Sequence, residues 1–477
     1  MAGDRNVYRF GQYELDAGRR RLTRGDAIVS LPPRQFDLFR LFVSNPNRLL
    51  TTDAIMDAAW PGVAVEPNNI GQALKGLRRM LGGDRALIET LPRKGYRFLA
   101  DVRATKPPSS LAKVEEMLAP HRAFVEGRAL LETFDLRAIG RAREVFDAGV
   151  ATAPDHPDAH IGLANVLMLQ FESTRDDAAP AFDLLERAER HAGEACACDP
   201  GSGEALATYG FARFLRGDAL GAIGTLRRAM ALEPEWWLHA LRLAYVGWGR
   251  ERRHAAARVL RECPGLALGC WLTATVLIAR RAFNPALAIL REGCTAQDHQ
   301  AAANGAFNAV GLHLLCALVL AALGRLPEAL DELARELALA DDNHVYGREC
   351  RANTWYSFGA LLLRLERRDD AVAAFRHALA CIPGHRFATV GLAFATGALT
   401  PSEADVEIRS VDDSIVKAVI LTLLDRHAEG AAIVVHALER APAGCAGWQL
   451  PVEPLLNVSA RRREWAEALD VLRHRAL

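Results

Sequence analysis

Hydrophobic and polar positions change their period once along the chain. Up to residue 103, short alternating stretches surround helical ones; after residue 113, apolar positions recur at helical spacing to the end. "VYRFGQYEL" (7–15) alternates apolar and polar side chains and predicts a half-buried strand. "RRLTRGDAIVSL" (20–31) reads as a hairpin turning at Gly25-Asp26. Pro32 and Pro33 open a helix, because proline suits a first helical turn. Phe36, Leu38, Phe39, Leu41, Phe42 and Val43 supply its buried side, and "SNPNR" (44–48) ends it. Thr51 or Thr52 caps a second helix running to Trp60. After "PGVAVEP" a third helix covers 68–81, and "ALIETLPRKGYRFLADV" (86–102) returns as a hairpin.

The third helix carries the chemistry. Ile70, Leu74, Leu77 and Leu81 share one face. Asn68, Gln72, Lys75 and Arg79 share the opposite face, with Asn69 and Gly76 beside that stripe and Arg78 at its border. A solvated surface helix usually mixes Glu with Lys, yet this outer face has no carboxylate. Amide and guanidinium groups read base edges, and cations meet phosphates. The order strands, helix, helix, basic helix, hairpin predicts a winged helix-turn-helix, whose third helix enters the major groove beside a hairpin wing.

Charge sharpens the division. The whole chain has 58 Lys plus Arg and 58 Asp plus Glu, but residues 1–103 hold 17 and 11, a net of +6 against −6 for the remainder. An anionic partner is therefore expected for the first part alone. "RATKPPSSLAK" (103–113) breaks all periodicity and reads as a linker, giving a winged-helix domain at 1–103, a linker at 104–113 and a repeat region at 114–477.

On these residues the first part resembles the DNA-binding domain of OmpR/PhoB-type transcription regulators. The matching stretches are "LPPRQFDLFRLFVSNPNRLLTTDAIMDAAW", "VEPNNIGQALKGLRRMLGGD" and "IETLPRKGYRF". The resemblance implies that helix 68–81 is the recognition helix and that Arg93, Lys94 and Arg97 belong to the wing. The DNA-binding set is then Asn68, Asn69, Gln72, Lys75, Arg78, Arg79, Arg93, Lys94 and Arg97. Gly71 and Gly76 depart from the family, where larger polar residues are usual; they either admit a close backbone approach or only weaken the helix, at up to ~1 kcal/mol each. The module begins at residue 7, so no receiver domain is expected in front of it.

Residues 114–477 repeat a cue: Ala, small or apolar residues 4 and 7 later, then Pro about 12 later. Ala142, Phe146, Gly149 and Pro154 fit it, as do Ala188, Ala192, Ala195 and Pro200, and Ala222, Leu226, Ala229 and Pro234. The clearest copy sets Trp355, Phe358 and Gly359 before Ala371, Phe375, Ala378 and Pro383, at the spacing of a tetratricopeptide repeat. About eight or nine repeats are expected, with an acidic loop replacing a helix at 400–413. Such a solenoid offers a groove for a peptide or partner protein, or serves as a scaffold or dimerisation surface. Trp236, Trp237, Trp248 and Trp271 read as repeat core, with a ligand pocket as the alternative.

Catalytic motifs are absent: there is no G-x-x-x-x-G-K-[ST], H-E-x-x-H or G-x-S-x-G, so no enzyme and no cofactor is expected. Nine cysteines at irregular spacing predict reduced core thiols rather than a zinc site, and Cys196 and Cys198 near His191 are set aside as a metal site. His156 and His160 lack a carboxylate pattern to complete one. The longest apolar run, 310–324, is too short to span a bilayer and no signal peptide is visible, so a soluble, cytoplasmic, bacterial protein is expected.

The fold class is thus mostly α: an α+β winged helix followed by an all-α tetratricopeptide-repeat solenoid. The function expected is that of a transcriptional regulator without a receiver, bound to double-stranded DNA as two copies on adjacent half-sites. The domain order resembles the HilA group, which is soluble, rather than the membrane-anchored CadC/ToxR type. The alternatives are a repeat scaffold whose winged helix makes protein contacts, and a small-molecule sensor in the repeats.

Overall fold

The alternating stretch at the N-terminal end is a hairpin rather than one strand. Gly11 adopts φ +53° and turns β1 (Val7–Phe10) back as β2 (Tyr13–Asp16), paired from Val7–Asp16 to Phe10–Tyr13. Period-2 alternation reads the same through a tight turn, which is why the sequence hides it. The computed structural model describes residues 7–18, 20–25, 27–59, 68–92, 94–104, 111–303, 306–405 and 407–477, without the side chains of residues 33, 34, 56–59, 68, 69, 72, 104 and 111–120.

A second hairpin, β3 (Arg21–Arg24) and β4 (Ala27–Val29), follows with Gly25 at φ +57°. The three helices are α1 (Pro33–Val43), α2 (Thr52–Ala59) and α3 (Asn68–Leu81). Thr51 caps α2, its hydroxyl accepting from Ala54 N at 3.0 Å. Trp60 lies outside the described residues. Between and after these helices come β5 (Leu49–Leu50), β6 (Ile88–Leu91), β7 (Gly95–Phe98) and β8 (Arg103–Ala104). The sheets run β4-β3-β2-β1-β8 and β5-β7-β6. Their shared core is aromatic: Phe10 meets Phe39 and Phe98 edge-on and stacks on Tyr13.

Among the described residues eighteen α-helices follow, and successive helices pack against each other. The first are α4 (Leu111–Glu132), α5 (Leu136–Thr152), α6 (Pro157–Glu172), α7 (Phe182–Cys198), α8 (Gly203–Leu215) and α9 (Ala219–Leu232). One packing device explains the repeat cue. Phe375, fully buried on the helix Arg368–Cys381, fills the space where Gly359 and Gly391 lack side chains; a Cβ there would lie 2.7 and 2.5 Å from its ring. Phe146 occupies the same seat between Gly127 and Gly162. A large side chain set between two glycines lets three helices approach to core density. At 400–413 the helix Arg386–Thr396 has a 3-10 turn, Pro401–Ala404, in place of a full partner helix.

The array curls far enough for distant repeats to meet. Leu136 N donates to Asn343 O at 2.7 Å and Val345 N to Phe134 O at 2.9 Å, while Arg175 of the first repeats pairs with Glu349. Of the tryptophans singled out, Trp271 packs edge-on against Trp448, and Trp236 lies under the Arg128 guanidinium at 4.9 Å. No described helix is long and apolar enough to cross a membrane.

Candidate nucleic-acid interface

Helix α3 is fixed by its apolar stripe. Ile70, Leu74, Leu77 and Leu81 are buried in the N-terminal core, which turns the opposite face outward. Lys75 and Arg79 stand exposed on that face, one turn apart. Asn68, Asn69 and Gln72 lie on the helix backbone, but their side chains are outside the described set. The two glycines differ in their surroundings. A Cβ on Gly76 would meet the far end of the Gln35 side chain of α1, whereas Gly71 has open space around it.

Arg78 faces the wing rather than open solvent. Its guanidinium donates to Ile88 O at 2.8 and 3.2 Å and to Thr90 Oγ1 at 2.5 Å, tying α3 to β6. These bonds hold α3 against the first strand of the hairpin.

The wing is the β6–β7 pair, in register from Ile88–Phe98 to Leu91–Gly95, with Lys94 N donating to Leu91 O at 2.9 Å across the tip. Ile88 and Phe98 are buried and hold it to the domain. Gly95 does more than turn the chain. It adopts φ +129°, and a Cβ would strike the Leu50 carbonyl of β5. Lys94 is exposed at the tip; Arg93 lies outside the described residues. Arg97 pairs across the strands with Glu89 at 2.7 Å, so its charge is partly met within the wing.

Further contacts emerge only in three dimensions. Arg79 is bonded to Glu235, just before the helix Trp237–Val246 of the array. Asp37 on α1 is buried and accepts both terminal nitrogens of Arg20 at 2.9 Å, while His121 Nδ1 of α4 lies 3.1 Å away. Burial alone would raise the Asp37 carboxyl, but the Arg20 guanidinium, with His121 and Arg40, outweighs it and holds that pKa well below the usual carboxylate range. Asp158 of α6, 1% exposed, completes this junction of the N-terminal part with the array. No periodicity links residues so far apart; the acidic surplus of the array was the only trace of Glu235.

Residues 25–98 match the family described as "Transcriptional regulatory protein, C terminal". The response regulator MprA of Mycolicibacterium vanbaalenii is 33% identical over 98 residues, 20% of this chain and 42% of that protein. The phosphate regulon regulator PhoB of Klebsiella pneumoniae is 30% identical over 90 residues, 18% of this chain and 39% of that protein. The chain thus spans about two fifths of the length of these curated relatives. A tetratricopeptide repeat protein from Parabacteroides merdae covers 58% of this chain and 99% of its own at 12% identity, with a TM-score of 0.38. Over residues 25–98 the chain carries a domain similar to the DNA-binding domain of the OmpR/PhoB-type transcriptional regulators, and a long series of paired helices follows it.

Proposed function

We propose that the chain is a sequence-specific transcriptional regulator that binds double-stranded DNA through α3 and the β6–β7 wing, and that the repeat array receives a signal or a protein partner. The observation that carries this reading is the outward face of α3: it holds Lys75 and Arg79 without an acid of its own, and Arg78 locks it to a wing tipped by Lys94. On this reading Asn68, Asn69 and Gln72 reach base edges from the first turns of α3, while Lys75 and the wing cations Arg93, Lys94 and Arg97 neutralise phosphates. Two copies occupy half-sites about one helical turn apart.

The test is binding of the full chain to fragments of its genome at two salt concentrations, with Arg79→Ala as the diagnostic variant. A bidentate base contact predicts a loss of ~1–3 kcal/mol on the selected site and relaxed specificity. Equal affinity for selected and random DNA would instead favour a scaffold whose winged helix makes protein contacts.

A further inference from the structure

The helix pair α6–α7 holds a cluster that DNA binding does not use. His160 lies near the start of α6, its side chain 5% exposed, and His191 and Glu194 face it from one side of α7. His160 Nδ1 is 3.0 Å from His191 Nδ1 and 3.0 Å from Glu194 Oε2; His191 Nδ1 is 3.4 Å from the same oxygen. The carboxylate that the sequence pattern around His156 and His160 lacked comes from a different helix.

The far nitrogen of His160 decides the chemistry. Nε2 is 2.8 Å from the carbonyl oxygen of Pro154. A carbonyl only accepts, so Nε2 carries a hydrogen, and in the neutral ring Nδ1 presents a lone pair. That lone pair faces a carboxylate oxygen and a second imidazole nitrogen. A single hydrogen on His191 Nδ1 serves one of these contacts and leaves acceptors opposed. One cation between the three atoms satisfies all of them.

The spacing also fits. Four-coordinate zinc with bonds of about 2.0–2.2 Å places neighbouring donor atoms about 3.3–3.6 Å apart, so the cluster would open by only a few tenths of an ångström. An Nε2–H bond to a backbone carbonyl is the usual support of a metal-bound histidine. Two imidazoles and a carboxylate select a transition metal over magnesium or calcium. The other donor groupings among the described residues are already engaged: Asp37 by Arg20, and Glu332, beside Cys294 and Cys316, by His313 at 2.6 Å. Cys196 and Cys198 are not part of this grouping.

We propose that His160, His191 and Glu194 bind a divalent transition-metal ion of the zinc class, with water as the fourth ligand, and that this ion is a signal received by the array. The second half rests on the regulatory reading above. Asp158 precedes His160 by two residues on α6, and its carboxylate lies within 4.8 Å of the donor atoms of His121 and Asp37. Drawing α6 and α7 onto a shared ion therefore acts on the turn that meets the N-terminal part.

The test uses the full chain, treated with chelator and then titrated with Zn²⁺ by calorimetry and with Co²⁺ by visible absorption. One equivalent should bind, with the intense cobalt bands of a four-coordinate site. His191→Gln and Glu194→Gln sit at the partly exposed side of the cluster, and circular dichroism checks their folding; each should weaken binding about tenfold or more. Equal binding by wild type and both folded variants overturns the site. DNA affinity with and without Zn²⁺ is then compared. Stoichiometric metal binding with unchanged DNA affinity overturns its role as a signal but keeps the site. Absence of selective DNA binding in both conditions sinks the regulatory reading without touching the titration.

Discussion

Arg79 on α3 donates both terminal guanidinium nitrogens to Glu235 Oε1 of the repeat array, each at 3.0 Å. The two side chains are 58% and 60% exposed, so the pair contributes no more than ~1 kcal/mol by itself. Its consequence is competitive: a guanidinium held by a carboxylate must release it to reach a base or a phosphate. Glu235→Ala should therefore raise DNA affinity by up to about fivefold at low salt, less at high salt. Fluorescence anisotropy with a labelled site measures it. An unchanged affinity would mean that the contact opens without cost or that Arg79 does not touch DNA.

Lys94 separates electrostatics from readout. Its removal as Lys94→Ala should weaken binding to selected and random DNA by the same factor, and lower the slope of log K against log salt by about 0.9 per lost phosphate contact. Salt titrations of both DNAs test this.

Arg78 is a positioning residue. Arg78→Ala removes bonds to Ile88 O and Thr90 Oγ1 and should cost ~1–3 kcal/mol of stability, read by urea unfolding. Lys at this position should recover little, because one ammonium cannot match the guanidinium fork.

Gly95→Ala should be more damaging than its size suggests. Both the φ of +129° and the nearby Leu50 carbonyl oppose a side chain, so a loss of ~1–3 kcal/mol or more is expected in thermal unfolding.

The array should also respond to pH. Glu453 is buried against the Tyr356 hydroxyl, and burial pushes its carboxyl up to about 7. The folded state then holds a proton that the unfolded chain releases near pH ~4.5. Stability contributed by this group is full below that range and falls as pH rises through about 7, by an amount on the order of 1–3 kcal/mol. Glu453→Gln should flatten this slope in urea titrations at about pH 5 and about pH 8.

Much of this was legible in the sequence because short-range periodicity fixes what a helix buries. The stripe Ile70, Leu74, Leu77 and Leu81 and the repeat cue at Phe375 are local patterns, and each is buried as its spacing implies. What periodicity cannot carry is partnership. Arg78 lay at the border of a cationic stripe, yet its bonds go to the wing; Arg97 read as a free wing cation, yet Glu89 is its cross-strand neighbour. The carboxylate that the local pattern around His160 lacks sits 34 residues away on the next helix. The hairpin at Gly11 is hidden from periodicity because a glycine turn preserves strand alternation.

The hydrogen bonds that join Leu136 to Asn343 and Val345 to Phe134 have a mechanical meaning. A repeat stack in which each unit touches only its neighbours frays from its ends and loses structure unit by unit. Here the early and late repeats are clasped, so the coil behaves less like a zipper than like a spring with two of its turns pinned together. Fraying should stop at the clasp, and the segment between should give way in a single cooperative step.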